Sequence, residues 1–179
     1  MPAFRRFATA VIVAAFLGGC ALQSSPPKAV TFAQKEAEYS AKLQRIVLVC
    51  PAAQGTDRLN VYPVIARELR SKGVVVEVVV PDPLELNKGH AVRLAAAKIG
   101  ATQVVLVQSV AAGNRVTTSG QFRNMDGSET FETSVQALPS AKVVWRARTM
   151  VGYSRIRPDE REDVVAKSIS EKLTADALL

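Results

Sequence analysis

Two cysteines and a single histidine are the first residues of this 179-residue chain to consider for nucleophilic or metal chemistry. Cys50 follows the apolar run Arg45-Ile-Val-Leu-Val49, which predicts a buried strand, and the carboxyl ends of such strands bind ligands in open α/β sheets. A nucleophilic thiol there would need a nearby cation or a helix amino terminus to lower its pKa. No cysteine-hydrolase pattern surrounds Cys50. We therefore favour the alternative that Cys50 is a small buried residue of the core.

His90 stands at the predicted start of a helix, without partners at recognisable spacing. A metal site or a Ser-His-Asp arrangement needs such partners. The loop that follows Cys50 has one glycine, Gly55, and so lacks the glycine-rich motifs that bind nucleotide phosphates. We expect no catalytic residue, no metal and no cofactor. An envelope enzyme that uses a cleft near Cys50 and His90 remains the alternative.

Charged residues at unusual positions supply the other candidates. Glu77 interrupts a run of valines, which predicts either a buried acid with a raised pKa or a strand at the sheet edge, where a charge discourages aggregation. We favour the edge strand. Four arginines on predicted neighbouring strands form either a solvated face or a basic surface for an acidic partner: Arg115, Arg123, Arg146 and Arg148.

The second cysteine, Cys20, ends an apolar stretch that begins at Phe7, directly after Arg5 and Arg6. A positive start, an apolar core and small exit residues are the parts of a secretory signal peptide. The apolar run is too short to span a bilayer, which needs about 20 apolar residues. Its last four residues, Leu17-Gly18-Gly19-Cys20, resemble the lipobox of bacterial lipoproteins.

The lipobox resemblance implies a cut between Gly19 and Cys20, so residues 1–19 would be a lipoprotein signal peptide. It also implies an S-diacylglycerol group on the Cys20 thiol and an N-acyl group, typically palmitate, on the new amino terminus. Ala21 stands where an aspartate commonly marks inner-membrane retention. The resemblance therefore favours the outer membrane, facing the periplasm, with the inner membrane as the alternative. Cys50 would then have no disulfide partner within the chain.

The composition is that of a globular protein, with 48% hydrophobic and 22% charged residues. The formal net charge is +7, but the basic residues are scattered, and export argues against nucleic acid as a partner. Residues 20–44 are predicted to hold the lipidated cysteine, a Ser-Pro tether and a lead-in whose pattern does not define its structure, with a short helix as one interpretation. Residues 45–179 are predicted to form one α/β domain.

Apolar periodicity predicts strand, helix, strand, helix and strand in the first half of this domain. The strands fall at 45–50, 74–80 and 102–110. One helix starts near Asn60 and stops at Gly73, and the next repeats Val92, Ala95, Ala96 and Ile99 before Gly100. Crossover helices imply parallel strands.

The second half changes to an antiparallel meander and a final helix. A turn is predicted at 111–114 and a hairpin at Asp126-Gly127. A strand over 130–137 would place Phe131, Thr133 and Val135 on one face. After a turn at 138–140, a strand over 142–153 would bury one face and expose the other. The predicted buried face comprises Val143, Trp145, Ala147 and Val151, and the exposed face carries Lys142, Arg146 and Arg148.

The last helix is predicted from a cap at Asp159, with Glu162 as its capping-box partner. Its apolar stripe is Val165, Ile169 and Leu173. The crowding of acidic residues at its start is explained by the helix dipole without a metal. The predicted fold class is a mixed α/β sheet, β-α-β-α-β followed by an antiparallel meander and a carboxyl-terminal helix.

This order of elements resembles small envelope lipoproteins of the TolB N-terminal and curli-secretion type. The segment Ala141-Lys-Val-Val-Trp145-Arg146 is similar to their late strand, which follows a turn and ends in Trp. The resemblance implies a non-catalytic binding or assembly role, with another envelope protein as partner. A subunit of an oligomeric secretion or assembly complex is the alternative.

Overall fold

A computed structural model of the protein describes residues 28–50, 61–81, 89–119, 122–154 and 158–179. Within these ranges the side chains of residues 28, 111–126 and 153–159 are not considered. The predicted fold class is confirmed, because a six-stranded mixed sheet is combined with three helices. The elements in chain order are β1 (Lys28–Lys35), β2 (Arg45–Val49), α1 (Tyr62–Ser71), β3 (Val75–Val79), α2 (His90–Ile99), β4 (Gln103–Ser119), β5 (Phe122–Ala137), β6 (Lys142–Ser154) and α3 (Pro158–Ala175).

The strands lie side by side in the order β1-β6-β5-β4-β2-β3. Strand β2 pairs in parallel with both β3 and β4, whereas the pairs β4–β5, β5–β6 and β1–β6 are antiparallel. The parallel half contains the strands separated by helices, and the antiparallel half contains the meander. The parallel and antiparallel halves were predicted from the length of the connections between strands, since only a long crossover can return a chain in the same direction.

The first two helices begin and end near their predicted limits. Pro63 lies in the first turn of α1, where its missing N–H is not needed. Helix α2 ends at Ile99 and is capped by Gly100, whose φ of 63° lies in the left-handed region that closes many helices. Val165, Ile169 and Leu173 are buried on α3 as the stripe predicted.

Two predicted turns are wrong, because both lie inside long strands. Strand β4 continues through residues 111–114 after a bulge between Ser109 and Ala111, and Asp126-Gly127 lies inside β5. Asn114 and Gly127 are direct partners in the β4–β5 ladder. The local turn preference of each segment is overridden by its pairing with the other.

The predicted lead-in helix is also wrong, because residues 28–35 form the edge strand β1 against β6. Its alternate residues Ala29 and Ala33 pack on the main core, and Thr31 lies between them. The Thr31 hydroxyl lies 2.8 Å from that of Thr149 and 2.7 Å from that of Ser168, so β1 is joined to both β6 and α3.

A second bulge changes which valine of β6 is buried. Val135 pairs with Trp145 but the next residue, Gln136, pairs with Val143, so Val144 is the extra residue. Val144 is 3% exposed and Val143 is 37% exposed. The prediction that Val143 lies on the buried face is therefore wrong, because a bulge interrupts the simple alternation of a strand.

The two faces of the sheet are covered unequally. Helices α1 and α3 pack on one face, here called the covered face, and form the main core with residues of β2, β4, β5 and β6. Helix α2 packs on the opposite face against Val47, Val49 and Val104, at the end of the sheet formed by β2 and β3. That opposite face carries no helix over β5, β6 and β1 among the described elements.

Among the described residues, no helix has both the length and the apolar character needed to cross a membrane.

Candidate functional site

Cys50 lies at the end of β2 as predicted, but it faces the main core on the covered side and is 2% exposed. Burial raises the pKa of its thiol to about 12. A thiol with this pKa holds almost no thiolate at neutral pH, and the thiolate is the nucleophilic form. The environment of Cys50 therefore supports the interpretation of a structural thiol and opposes a nucleophilic role.

His90 is the first residue of α2, on the other side of the sheet from the core that contains Cys50. Its side chain is exposed. The structure thus does not bring the two candidate residues of an enzyme site together. The described part of the chain also contains no group of three or more His, Cys, Asp or Glu residues that could hold a metal ion.

Glu77 occupies the edge strand β3, where the preferred prediction placed it. Its carboxylate accepts a hydrogen bond from Lys98 of α2 at 2.7 Å. Among the residues with described side chains, the buried acid is instead Glu129, which is 3% exposed and accepts a hydrogen bond from Ser109 at 2.8 Å. The sequence signal for the burial of Glu129 was its spacing of two and four residues from Phe131 and Thr133, because residues at this spacing in a strand share one face, here the covered face.

The half of the opposite face that no helix covers is the candidate site, and we call it the open half. It is mainly polar and carries Gln108 from β4, alternate residues of β5, and Arg146 and Arg148 of β6. A shallow depression of about 140 Å³ lies in its middle. Its lining includes Leu106, Gln108, Glu132, Ser134, Gln136, Val143 and Arg146.

An ion pair crosses the open half between neighbouring strands. Arg148 donates a hydrogen bond to Glu132 at 2.5 Å, and these two residues are direct partners in the β5–β6 ladder. The hydrogen bond from Arg148 is the main cause that lowers the pKa of Glu132, and the charges of Arg148 and Arg146 add to it. Since Glu132 engages Arg148, Arg146 is the arginine of this surface with no ion pair to a described residue at salt-bridge distance.

An apolar strip borders this polar surface at the edge of the sheet. It consists of Val30 and Phe32 of β1 and Met150 of β6, which are 50%, 65% and 49% exposed. Phe32 pairs with Arg148 and Val30 pairs with Met150, so the side chains of all four residues lie on the face that contains the open half. The strip escaped prediction because residues 28–35 were not predicted to be a strand. An exposed apolar group next to polar residues is typical of a contact surface.

A group of hydrogen bonds around Asp176, here called the Asp176 clamp, lies on the covered face and holds the segment that follows α3. Asp176 accepts hydrogen bonds from the Trp145 indole at 2.7 Å and from Lys172 at 2.9 Å, and Lys35 donates to its backbone carbonyl at 2.8 Å. Burial acts to raise the pKa of Asp176, but these two hydrogen bonds and the charges of Lys172 and Lys35 outweigh it, so the pKa is lowered. The clamp stabilises the fold and is not part of the open half.

Several predicted residues lie outside what the structure describes. These include the whole signal segment, with Leu17, Gly18, Gly19 and Cys20, and the loop that contains Gly55. The side chains of Arg115, Arg123 and Asp159 are also outside the described set. The lipid attachment at Cys20 and the cap at Asp159 therefore stay predictions. Only Arg146 and Arg148 of the four predicted arginines are seen on the open half.

No protein-family model matches the sequence, and no curated protein matches it either. Solved structures do match the fold. The PelC dodecamer from Paraburkholderia phytofirmans is 16% identical with a TM-score of 0.55, over 79% of this chain and 96% of that one. A second crystal form of the same protein gives 0.54.

Two structures described as lipoproteins match at lower similarity. One, from Neisseria meningitidis, is 11% identical over 74% of this chain and 99% of that one, with a TM-score of 0.44. A minor lipoprotein from Acinetobacter baumannii is 12% identical over 75% of this chain and 94% of that one, with a TM-score of 0.41. The resemblance to the TolB and curli-secretion type remains a prediction. The chain thus has the fold of PelC, and structures described as lipoproteins are among its neighbours.

Proposed function

We propose that this protein is a lipid-anchored cell-envelope protein whose open half binds a partner, without catalysis. The observation that carries the binding role is the unequal covering of the sheet. Strands β6 and β1 expose Arg146, Arg148 and the apolar strip on a surface that the described helices leave free. Aromatic residues, methionine and arginine are the residue types enriched at protein interfaces, and Phe32, Met150 and Arg146 bring all three to this surface.

The anchoring part of the proposal rests on Leu17-Gly18-Gly19-Cys20. Diacylglycerol on the Cys20 thiol and an acyl group on its amino nitrogen would together provide several lipid chains. One chain binds membranes only marginally, whereas two or more hold firmly. Ala21 supports delivery to the outer membrane, with the domain in the periplasm. The mature protein would then comprise the tether and lead-in, residues 20–44, and the domain, residues 45–179, although β1 joins the lead-in to the same sheet.

Substitution of Cys20 tests the anchor. In the wild-type protein we expect the membrane fraction to contain a chain that starts at Cys20 and has the added mass of the lipid groups. Cys20→Ser should abolish both the processing and the added mass. Cys50→Ala is the matched control, because it removes the other cysteine and should leave processing unchanged. An unaltered membrane-bound mass in Cys20→Ser would contradict the proposal.

Site-directed photo-crosslinking in the native envelope tests the binding role. A photoreactive residue at Ser134, in the depression of the open half, should yield a discrete product that contains an envelope protein. The control is the same residue at Lys167, which is exposed on α3 above the covered face. Equal crosslinking at both positions would count against the open half as the binding surface.

The second candidate function is a subunit of an oligomeric envelope assembly. The specific observation in its favour is that PelC, which has this fold, is described as a dodecamer. In that case the partner at the open half would be another copy of this chain. Native mass spectrometry of the detergent-solubilised lipidated protein separates the two candidates, since the assembly predicts a multiple of the protomer mass.

A further inference from the structure

The two edges of the sheet are protected unequally. The strand order places β3 at one edge and β1 at the other. Strand β3 carries Glu77, which is joined to Lys98 of α2 at 2.7 Å, and a charge at an edge discourages pairing with another strand. Residues 29–34 of β1 include no charged residue, and Val30 and Phe32 among them are 50% and 65% exposed. The β1 edge therefore lacks the charge that protects the β3 edge.

The backbone of β1 has a free side. In an antiparallel pair, every second residue directs its N–H and C=O groups to the neighbouring strand, and the residues between direct theirs away. Glu36, which follows β1, donates its backbone N–H to the Val144 carbonyl of β6 at 2.9 Å. The β1–β6 register contains no shift, so the even-numbered residues of β1 bond to β6. The odd-numbered residues Ala29, Thr31 and Ala33 therefore direct their backbone groups to the free edge, where no described strand accepts them.

The sequence of β1 is self-complementary about Thr31. When a second β1 runs antiparallel to the first with Thr31 opposite Thr31, each Ala29 lies opposite Ala33, and each Val30 lies opposite Phe32. Small residues then meet on the covered face, and large apolar residues meet on the opposite face. The odd-numbered pairs are the hydrogen-bonded ones, so each exchanges two backbone hydrogen bonds. A two-fold axis through Thr31 relates the two copies, which is the commonest symmetry of a dimer.

This pairing also joins the apolar strips of the two copies. Met150 of β6 is 49% exposed and pairs with Val30 in the β1–β6 ladder. On its other side, Val30 lies opposite the partner's Phe32 at a non-hydrogen-bonded position, where facing side chains come closest. Aromatic and β-branched residues form favourable cross-strand pairs. Each copy therefore covers apolar side chains that are exposed in the single chain.

From this geometry we propose that the free edge of β1 is the contact surface for a second copy of this chain. The two β1 strands pair antiparallel about Thr31 and join two six-stranded sheets into one continuous sheet. The two open halves face the same direction, because the two-fold axis is perpendicular to the sheet. This proposal deepens the second candidate function, an assembly of identical subunits, and rests on it. It does not depend on the lipid anchor.

Disulfide crosslinking tests the pairing and its register. Val30→Cys and Phe32→Cys are introduced separately into the full chain, and the two variants are co-expressed with different tags. Mild oxidation of the native envelope should link Val30→Cys to Phe32→Cys, because directly opposite Cα atoms of such a pair lie about 4.5 Å apart, which suits a disulfide. The unsubstituted chain is the control for crosslinks through Cys20 or Cys50.

The register decides which crosslink dominates. The mixed crosslink should exceed the self-crosslink of Phe32→Cys several-fold, since Phe32 does not lie opposite itself when the axis passes through Thr31. A self-crosslink of Phe32→Cys that equals or exceeds the mixed crosslink would overturn the proposed pairing. The absence of a crosslink above that of the unsubstituted chain, or a crosslink to a different protein, would overturn it as well.

Native mass spectrometry of the detergent-solubilised full chain provides a second measurement. The wild-type protein should have an even multiple of the protomer mass. Phe32→Lys places a charge within the pairing and should reduce this mass to half or less. Val75→Lys is the matched control, because Val75 is 49% exposed on the other edge strand, β3, and its substitution should leave the mass unchanged. An unchanged mass for Phe32→Lys would contradict the proposal.

Failure of the assembly and failure of the β1 pairing are distinguishable. A wild-type mass of one protomer would refute both the second candidate function and the pairing. A multiple of the protomer mass that survives Phe32→Lys, without the mixed crosslink, would refute the β1 pairing alone. The assembly would then stand and would use another surface.

Discussion

The covered face and the open half of the sheet are built from the same strands, but the covered face is buried and mainly apolar whereas the open half is exposed and mainly polar. On β5, Phe131 and Val135 point to the covered face and are 1% and 0% exposed, whereas their neighbour Glu132 points to the open half and pairs with Arg148. On β6, Trp145 is 1% exposed and the adjacent Arg146 is exposed. One face stabilises the fold by burial, and the other leaves charge at the surface.

Because of this difference, residues of the open half can serve binding with little effect on the stability of the domain. Burial of apolar area is worth about 25 cal/mol per Å², so residues of the covered face carry the stability of the domain. Substitutions on exposed surface positions usually change stability by less than about 0.5 kcal/mol. The residues of the open half can therefore be selected for binding with little effect on folding.

The largest difference in stability between the two faces is expected at Phe131. Phe131→Ala should lower the free energy of unfolding by about 3 to 5 kcal/mol, because a large buried side chain is removed and a cavity remains. Ser134→Ala on the same strand, but on the open half, should change it by less than about 0.5 kcal/mol. Urea unfolding of both variants measures the contrast. Similar losses in the two variants would show that the faces are not distinct.

The bulge in β6 places two neighbouring valines on opposite faces of the sheet, so the same comparison can be made with a single residue type. Val144→Ala should lower the free energy of unfolding by about 2 kcal/mol, because Val144 is buried in the main core. Val143→Ala should have an effect below about 0.5 kcal/mol, since that side chain faces the open half. The reverse order in urea unfolding would place Val143 in the core and remove the bulge.

The Asp176 clamp connects the covered face to pH. Asp176→Asn should lower the free energy of unfolding at neutral pH by about 2 kcal/mol, because hydrogen bonds to a charged acceptor are lost. The pKa of Asp176 is lowered in the folded state. Its contribution is therefore fully present well above the unfolded pKa of about 3.9 and is lost as the pH falls through the lower folded value.

Denaturation of wild type and Asp176→Asn at pH 7 and at successively lower pH measures this dependence. The difference between the two proteins should shrink as Asp176 becomes protonated. Gln44→Ala, a change of an uncharged side chain at an exposed position, provides a control without such a pH dependence. A difference that stays constant to low pH would contradict the clamp.

The smallest expected effect belongs to the ion pair of the open half. Removing the partners Glu132 and Arg148 singly and together, as Gln variants, should give a coupling energy of about 0.2 to 1 kcal/mol, because both side chains are partly exposed. The coupling should weaken further in 1 M salt. A much larger coupling in urea unfolding would mean that the open half also carries stability.

Local pattern predicted much of this fold. The apolar runs located β2 and β3, and helical periodicity located α1, α2 and the buried stripe of α3. The prediction of Glu77 on an edge strand is confirmed, since a charge in a run of valines is best tolerated where one side of the strand is free. These features depend on residues that are close in the sequence.

The errors occurred where distant residues decide. Asn114 and Gly127 each indicate a turn, yet they pair with one another in the β4–β5 ladder. Residues 28–35 lack a long apolar run and become a strand only because β6 offers an unpaired edge. The exchange of Val143 for Val144 depends on a bulge that arises from pairing with β5. In each case the structure of the segment is determined by its pairing with another strand, which the local sequence does not show.

For the candidate site the division is similar. Local residue patterns were enough to predict the lipobox-like segment, the parallel and antiparallel halves of the domain, and the alternation that separates Arg146 and Arg148 from Trp145. The folded chain was needed to show that Cys50 and His90 lie on different sides of the sheet and that α2 covers just one end of the face opposite the covered face. Alternation is a property of one strand, whereas the covering of a face depends on where each helix packs, and therefore on contacts between residues far apart in the chain.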